Sequence, residues 1–301
     1  MKIQFMSDLH IEHFPSFDDF NLKFKEKFGN FILSGKEIGH VLILAGDIAN
    51  PFLDCYSDFL QYCSAKYRDV IIVAGNHEFY GNDYWSSVDR MKKLANLFAN
   101  VHFLYQNSVE INGDGEQVVF LGCTLWSHVP DQALQVVQNV GVKISKFHNF
   151  TTSFSNIFKS LNDYRLISIM ENGKSRTLHV TDTVRFFQED VKWLSNELEK
   201  HKNKKVIVCT HHAPMMSGVG APQYEHTKDL KVQHYNHAFA SDLSSLIKSP
   251  IIMWIYGHTH YSIVKQTENG IIVAGNQLGY LSSKHPQIEG NNFRQDLIFE
   301  I

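Results

Sequence analysis

His258 and His260 stand two positions apart in Tyr256-Gly257-His258-Thr259-His260, directly after the apolar run Ile251-Ile252-Met253-Trp254-Ile255 and before a second β-like run, Tyr261 to Val264. Side chains two apart on an extended segment share a face, so one loop can offer an imidazole to each of two neighbouring metal ions. Four earlier segments are built the same way: Met6-Ser7-Asp8-Leu9-His10, Ala45-Gly46-Asp47-Ile48-Ala49-Asn50, Ala74-Gly75-Asn76-His77-Glu78 and Thr210-His211-His212-Ala213-Pro214. Each follows a short hydrophobic run: Ile3-Gln4-Phe5, Val41 to Leu44, Val70 to Val73 and Val206 to Cys209. Five strands that end in Asp, Asn or His gather nitrogen and oxygen donors at one sheet edge. In open α/β sheets the carboxyl ends of strands are where ligands bind.

The ordered set DLH, GD, GNHE, HHAP and GHTH spans Asp8 to His260 and resembles the calcineurin-like metallophosphoesterase family. Any one block alone is weak, but the five in this order are specific. The resemblance implies a four-layer α/β/β/α sandwich of two mixed sheets flanked by helices. It also implies a dinuclear metal centre. Asp47 bridges the two ions, with Asp8, His10 and His260 on the first, and Asn76, His211 and His258 on the second. All are N or O donors, which suits manganese, iron, zinc or a mixed pair over a soft-metal centre. Two metals about 3.5 to 4 Å apart lower the pKa of a bound water and grip phosphoryl oxygens. The implied reaction is therefore in-line attack on a phosphate ester by metal-bound hydroxide, with no covalent enzyme intermediate.

By the same resemblance His77 is the general acid that protonates the leaving alkoxide, or a donor to a phosphate oxygen, and Asp8 orients it. One position departs from the pattern. Many members, the protein serine/threonine phosphatases among them, carry Asp three positions after the bridging Asp, and purple acid phosphatases carry Tyr there. This chain has Asn50, which disfavours both subgroups. Asn50, Arg165 and His212 are the substrate-side candidates. Arg165 is chosen because guanidinium clamps phosphate through parallel hydrogen bonds. His212, beside a ligand, either supports the metal ligands from behind or faces the substrate. His226, His234 and His237 are candidates for lining the pocket, while His13, His40, His102, His128 and His201 read as surface or packing residues.

The chain has 301 residues, 44% of them hydrophobic, with a formal charge of -3. That length fits one large domain over 1–301 with an insertion. The near-neutral balance gives no general attraction to nucleic acid or anionic membrane, so a small-molecule phosphate ester is expected as substrate, not a nucleic-acid polymer. No apolar run reaches the ~18 residues that span a bilayer. The apolar start, Met1 to Met6, is too short for a signal peptide, so the chain is expected in the cytosol or exported without a cleaved signal. Cys55, Cys63, Cys123 and Cys209 form no CxxC pair; Cys123 and Cys209, in or beside apolar strands, read as buried thiols, which fits a reducing compartment.

The elements that position these residues follow from periodicity. Phe14, Phe17, Phe20, Phe24 and Phe28 recur at helical intervals and read as core cover. Helical stripes at 52–66 and about 83–99 alternate with the strands ending at Asp47 and Asn76, a βαβ rhythm with right-handed crossovers. Val101–Tyr105, Val109–Ile111 and Gln117–Leu121 read as a β meander, with a turn at Asn112-Gly113-Asp114-Gly115. Residues 127–180, with a helix near 131–140 and a stretch from Phe154 to Ile169, read as an insertion. It either caps the metal edge or merely covers the sheet. Thr181–Lys200 reads as a helix capped by Thr181 or Asp182. A long loop, 215–237, leads to a helix at Phe239–Lys248. Strands at Tyr261–Gln266, Ile271–Ala274 and Leu297–Ile301 close the chain.

The leading reading is a phosphatase or phosphodiesterase. On the same site a nucleotide or dinucleoside polyphosphate pyrophosphohydrolase is the alternative. A non-catalytic scaffold is disfavoured, because every expected position is filled. The oligomeric state is not legible in the sequence.

Overall fold

A computed structural model of the chain describes residues 1–35, 37–113, 115, 117–139, 162–281 and 292–301. Its first sheet runs in the order β13-β1-β2-β3-β4. Here β1 (Lys2–Met6), β2 (Val41–Ala45), β3 (Asp69–Val73) and β4 (Val101–Phe103) are parallel, and β13 (Ile298–Glu300) pairs antiparallel with β1. The second sheet runs β11-β12-β10-β9-β6-β5. Its parallel centre is β6 (Gln117–Cys123), β9 (Lys205–Thr210), β10 (Ile251–Tyr256) and β12 (Ile272–Gly275). The flanking strands, β5 (Asn107–Asn112) and β11 (Ile263–Gln266), are antiparallel. Both sheets are mixed, as expected.

The sandwich follows from strands that are apolar on both faces. Ile3, Phe5, Val41, Ile43, Ile71 and Val73 of the first sheet share a buried core with Phe120, Ile207, Cys209, Met253 and Ile255 of the second. The alternate residues, Leu42, Leu44, Val70, Ile72, Val206, Val208 and Trp254, belong to the core on the outer faces, which the helices cover. A period of two places each continuous apolar run in both cores at once. The helices α1 (Phe17–Phe28), α2 (Asp54–Ser64) and α3 (Tyr84–Ala95) contribute Phe17, Phe20, Phe24, Phe59 and Met91 to the outer core. Ser16 Oγ caps α1 by accepting the Asp19 N–H at 3.1 Å, and Gly29, at φ 82°, ends it. The longest helix among the described residues, α6 (Val180–Lys200), adds Phe186, Leu194 and Leu198.

Where the structure departs from the sequence reading, the causes are local. The expected meander is split: β4 joins the first sheet while β5 and β6 form a hairpin in the second. Short apolar runs carry no mark of which sheet they join. Residues 239–248 form no α-helix. Asp242 Oδ1 accepts the Ser244 N–H at 3.1 Å, and one 3₁₀ turn, Ser244–Leu246, follows. Such side-chain to backbone bonds compete with helix. The loop before it holds two short helices instead, α7 (Pro222–Glu225) and α8 (Leu230–Asn236), the second capped by Asp229. The cap of α6 is His179, not Thr181 or Asp182; Asp182 sits one turn in and accepts the His179 N–H at 2.9 Å.

Within 127–180, α4 (Asp131–Asn139) matches the expected helix. A short helix, α5 (Asp163–Leu166), and an unforeseen hairpin, β7 (Ser168–Glu171) with β8 (Lys174–Thr177), follow. Phe154 and Asp114 lie outside the described residues. All four cysteines are buried and unpaired. Among the described residues no helix is long and apolar enough to cross a membrane.

Ile43 touches both sheets through the shared core and is fully buried. Ile43→Ala should cost about 2–5 kcal/mol in urea unfolding, whereas a cost under ~1 kcal/mol would show that the sheets do not pack on one another there.

Candidate active site

The loops after β1, β2, β3, β9 and β10 meet at one edge. His211 Nδ1–H, from the second sheet, donates to the Ala45 carbonyl of the first at 2.8 Å, which turns Nε2 inward. Loop to loop, the Asp8 N–H donates to Gly46 O at 3.0 Å and the His10 N–H to Asp47 O at 3.1 Å. Glu78, fully buried, accepts the N–H groups of Asp47, Ile48 and Gly75 at 2.9, 2.8 and 2.7 Å and so ties the second loop to the third. Five non-glycine residues here are left-handed: Asp8 (φ 56°), His10 (49°), Asp47 (53°), His258 (70°) and His260 (50°). Asp and His tolerate that region better than most residues, but each such residue still costs of order 1–3 kcal/mol. Gly46 and Gly75 make room for the crowding. A Cβ on Gly75 would stand 2.2 Å from Asp47 Oδ1, and one on Gly46 would stand 2.5 Å from His211 Nδ1.

Two groupings of donors result. In the first, Asp8, His10 and His260 bring their ligand atoms together: His10 Nε2 lies 3.0 Å from His260 Nε2, and His260 Nε2 lies 3.4 Å from Asp8 Oδ1. In the second, Asp47, His211 and His258 converge, with Asn76 Oδ1 at 3.1 Å from His211 Nε2. Asp47 Oδ2 faces both groups, 3.9 Å from His10 Nε2 and 3.4 Å from His211 Nε2. Two imidazole nitrogens aimed at each other across 3.0 Å repel unless a proton or cation lies between them. His258 Nε2 is buried with no hydrogen-bond partner. These observations fit a pair of first-row cations held by N and O donors.

A supporting layer fixes the donors. Asp163 Oδ1 accepts both Asn76 Nδ2 at 2.9 Å and Tyr80 OH at 2.6 Å, so the Asn76 amide oxygen turns toward His211. Asp8 accepts the His258 N–H at 3.0 and 3.1 Å and the Ser7 hydroxyl at 2.5 Å. Glu12 Oε1 lies 2.8 Å from His77 Nδ1 and 3.3 Å from His10 Nδ1. The Tyr280 ring packs on His10 with centroids 4.4 Å apart, and its hydroxyl lies 3.5 Å from His77 Nε2.

The electrostatics follow from burial and crowding. Burial opposes ionisation of Asp47, but the His211 and His77 rings outweigh it and hold the carboxyl well below its ordinary range. Burial works against charge on His211 and His77 as well, yet Asp47 raises them to about 10 and about 9. Burial takes His10 down to about 4 and His212 to about 3, with His77 and His211 respectively adding to the fall. Burial and the Asp47 charge push Glu78 up to about 8, and burial lifts Asp163 to about 6.

The residues named from sequence fall into two sets. Asp8, His10, Asp47, Asn76, His77, His211, His258 and His260 come together at the edge. Asn50 and Arg165 do not reach the donor groupings. The Asn50 amide is taken by Tyr80 O and the Phe52 N–H, both at 3.0 Å, and the exposed Arg165 turns to Asn162 Oδ1 at 2.6 Å. What reaches the cluster from that stretch is Asp163, two positions earlier. His212 is buried and packs on His258, centroids 4.2 Å apart, with both ring nitrogens unpartnered. The carboxylate hydrogen-bonded to the His77 ring is that of Glu12, while Asp8 is bonded to Ser7 and the His258 N–H. His13, read as a surface or packing residue, is exposed and borders the site 3.9 Å from Glu12. Glu12 carried a signal, a carboxylate two positions after a donor histidine. Tyr280 and Asp163 carried none.

A family profile described as calcineurin-like phosphoesterase matches residues 1–262. An uncharacterized protein of Acanthamoeba polyphaga mimivirus is 32% identical over 296 residues, covering 97% of this chain and 93% of its own. Among solved structures, phosphopantetheinyl hydrolase from Mycobacterium tuberculosis superposes with a TM-score of 0.60 at 13% identity, over 93% of this chain and 90% of its own. A dimetal phosphatase from Danio rerio gives 0.45 at 17%, over 93% and 88%.

Two outcomes are expected. Asp163→Ala frees the Asn76 amide and should weaken divalent-ion binding ~10–100-fold by titration calorimetry, whereas unchanged affinity would deny Asp163 its orienting place. In the metal-free protein His211 and His77 have folded pKa values above their ordinary ~6.5, so the stability they add is full below that pH and is lost as pH rises through about 9 and 10. The raised Glu78 acts in the same sense up to about 8. The melting temperature of the metal-free protein should fall from pH 7 to 10, and added Mn²⁺ should flatten the decline, because a cation takes the proton's place. A flat profile without metal would contradict this.

Proposed function

The chain belongs to the calcineurin-like phosphoesterase family, and on that premise we propose that it hydrolyses small-molecule phosphate esters at a dinuclear centre held by Asp8, His10, Asp47, Asn76, His211, His258 and His260. As a metallophosphoesterase it is a hydrolase. The observation that carries the proposal is the single carboxylate oxygen of Asp47 facing the Nε2 atoms of His10 and His211, one from each donor group. Manganese, iron or zinc suits the donor set. Such a pair, when bound, supplies an acidified water and neutralises charge on phosphoryl oxygens.

The remaining work belongs to the chain's own side chains. Asp8, with the His258 N–H on its carboxylate, holds the first and last loops in one frame. Asn76, pinned by Asp163, keeps its amide oxygen turned inward. His77 donates its Nε2 proton to the leaving oxygen as the ester bond breaks, while its backbone N–H stays on Asp47 Oδ1 at 2.8 Å. Tyr280, beside Nε2, lines the approach. The stretch 127–180 supplies part of the site's frame through Asp163. A charge of -3 supports a small substrate over a nucleic-acid polymer, and four unpaired buried thiols support work in the cytosol.

With Mn²⁺ the protein should turn over p-nitrophenyl phosphate or its bis-ester, and both EDTA and Asp47→Ala should abolish the reaction. His77→Ala should lower kcat on an alkyl phosphate by ~10²–10⁴-fold. Turnover of neither ester by metal-loaded protein, or turnover indifferent to Asp47→Ala, would refute the proposal.

A further inference from the structure

We propose that Glu12 is the positioning residue of the reaction: its Oε1 holds the His77 ring with Nδ1 turned inward and Nε2 turned to the leaving group. The inference rests on His77 as the acid. Glu12 lies in the 3₁₀ turn Ile11–His13 that follows the left-handed His10, and this turn folds its carboxylate back under the first donor loop. Oε1 meets His77 Nδ1 at 2.8 Å and His10 Nδ1 at 3.3 Å. The two rings stand edge to face, centroids 4.3 Å apart and planes at 66°, so one oxygen serves both.

Among the described residues no other carboxylate oxygen is within hydrogen-bond reach of His77 Nδ1. Asp8 is taken by Ser7 and the His258 N–H, and Asn50 by Tyr80 and Phe52. The Glu12 side chain is 13% exposed, and its second oxygen, Oε2, is buried without a hydrogen-bond partner. Burying an ion with half its acceptors unmet is costly, so the carboxylate sits where the rings need it and not where its own bonding is best met. An imidazole ring is roughly two-fold in its outer torsion. With Nδ1 bonded to Glu12, the flipped ring, which turns Nε2 away from the substrate side, loses a charge-assisted hydrogen bond.

The test has two readouts. In histidine-labelled metal-free protein, the His77 Nδ1 proton should give a protected, downfield nuclear resonance. That resonance should be weakened in Glu12→Gln, which keeps an acceptor without its charge, and absent in Glu12→Ala. At saturating Mn²⁺, Glu12→Ala should lose ~10–100-fold in kcat on an alkyl phosphate, at least about 10-fold more than on p-nitrophenyl phosphate, whose leaving group needs little protonation. Glu12→Gln should fall between wild type and Glu12→Ala. In a His77→Ala background the extra loss on the alkyl ester should vanish. Equal losses on both esters, or an Nδ1 resonance indifferent to Glu12, would overturn the proposal. The resonance requires no turnover. If it depends on Glu12 while His77→Ala shows no leaving-group sensitivity, the acid assignment fails and the positioning stands.

Discussion

The structure depends on the Asp47 carboxylate, fixed at the edge where two sheets meet and surrounded by imidazoles removed from water. Its Oδ1 accepts the His77 N–H and its Oδ2 faces His10 and His211. A buried anion beside several neutral rings is costly, and so are imidazole nitrogens aimed at one another. In the metal-free protein protons relieve part of that cost by charging His211 and His77. Divalent cations bound as proposed would relieve it more fully, since each of these donors would then face a cation. The cluster is thus a site whose stability and chemistry are two aspects of the same charge balance.

Rigidity at the edge has a mechanical origin. Parallel strands in each sheet point their carboxyl ends the same way, and the His211 to Ala45 bond joins the two ends. Glu78 then fastens three N–H groups of neighbouring loops with one carboxylate. Against this frame the left-handed Asp8, His10, Asp47, His258 and His260 are held, each at a local cost that the surrounding hydrogen bonds offset. Strain gathered at donor residues and absent from the strands behind them marks where the fold serves chemistry.

Much of this was legible in the chain. Apolar runs ending in DLH, GD, GNHE, HH and GHTH located the strands and the edge, because a strand's period and its terminal residues are local facts. Sheet membership was not legible: β4 and β5 have similar patterns, and only packing sends one to each sheet. The supporting layer was partly hidden. Glu12 could be suspected from its spacing to His10, but Asp163 reaches Asn76 from a stretch 87 positions away, and Tyr280 reaches His10 from near the far end. Arg165, favoured for its chemistry, turns to Asn162 at the surface instead. Residue type alone does not tell which way a short helix faces.

The most direct test of the account is the metal content of the purified chain. After loading with excess Mn²⁺ and gel filtration, elemental analysis should find about two ions per wild-type chain, with loss of at least one in Asp47→Asn. No retained ion in the wild type, or full retention in the variant, would contradict the claim that Asp47 and the surrounding histidines form one cation-binding cluster.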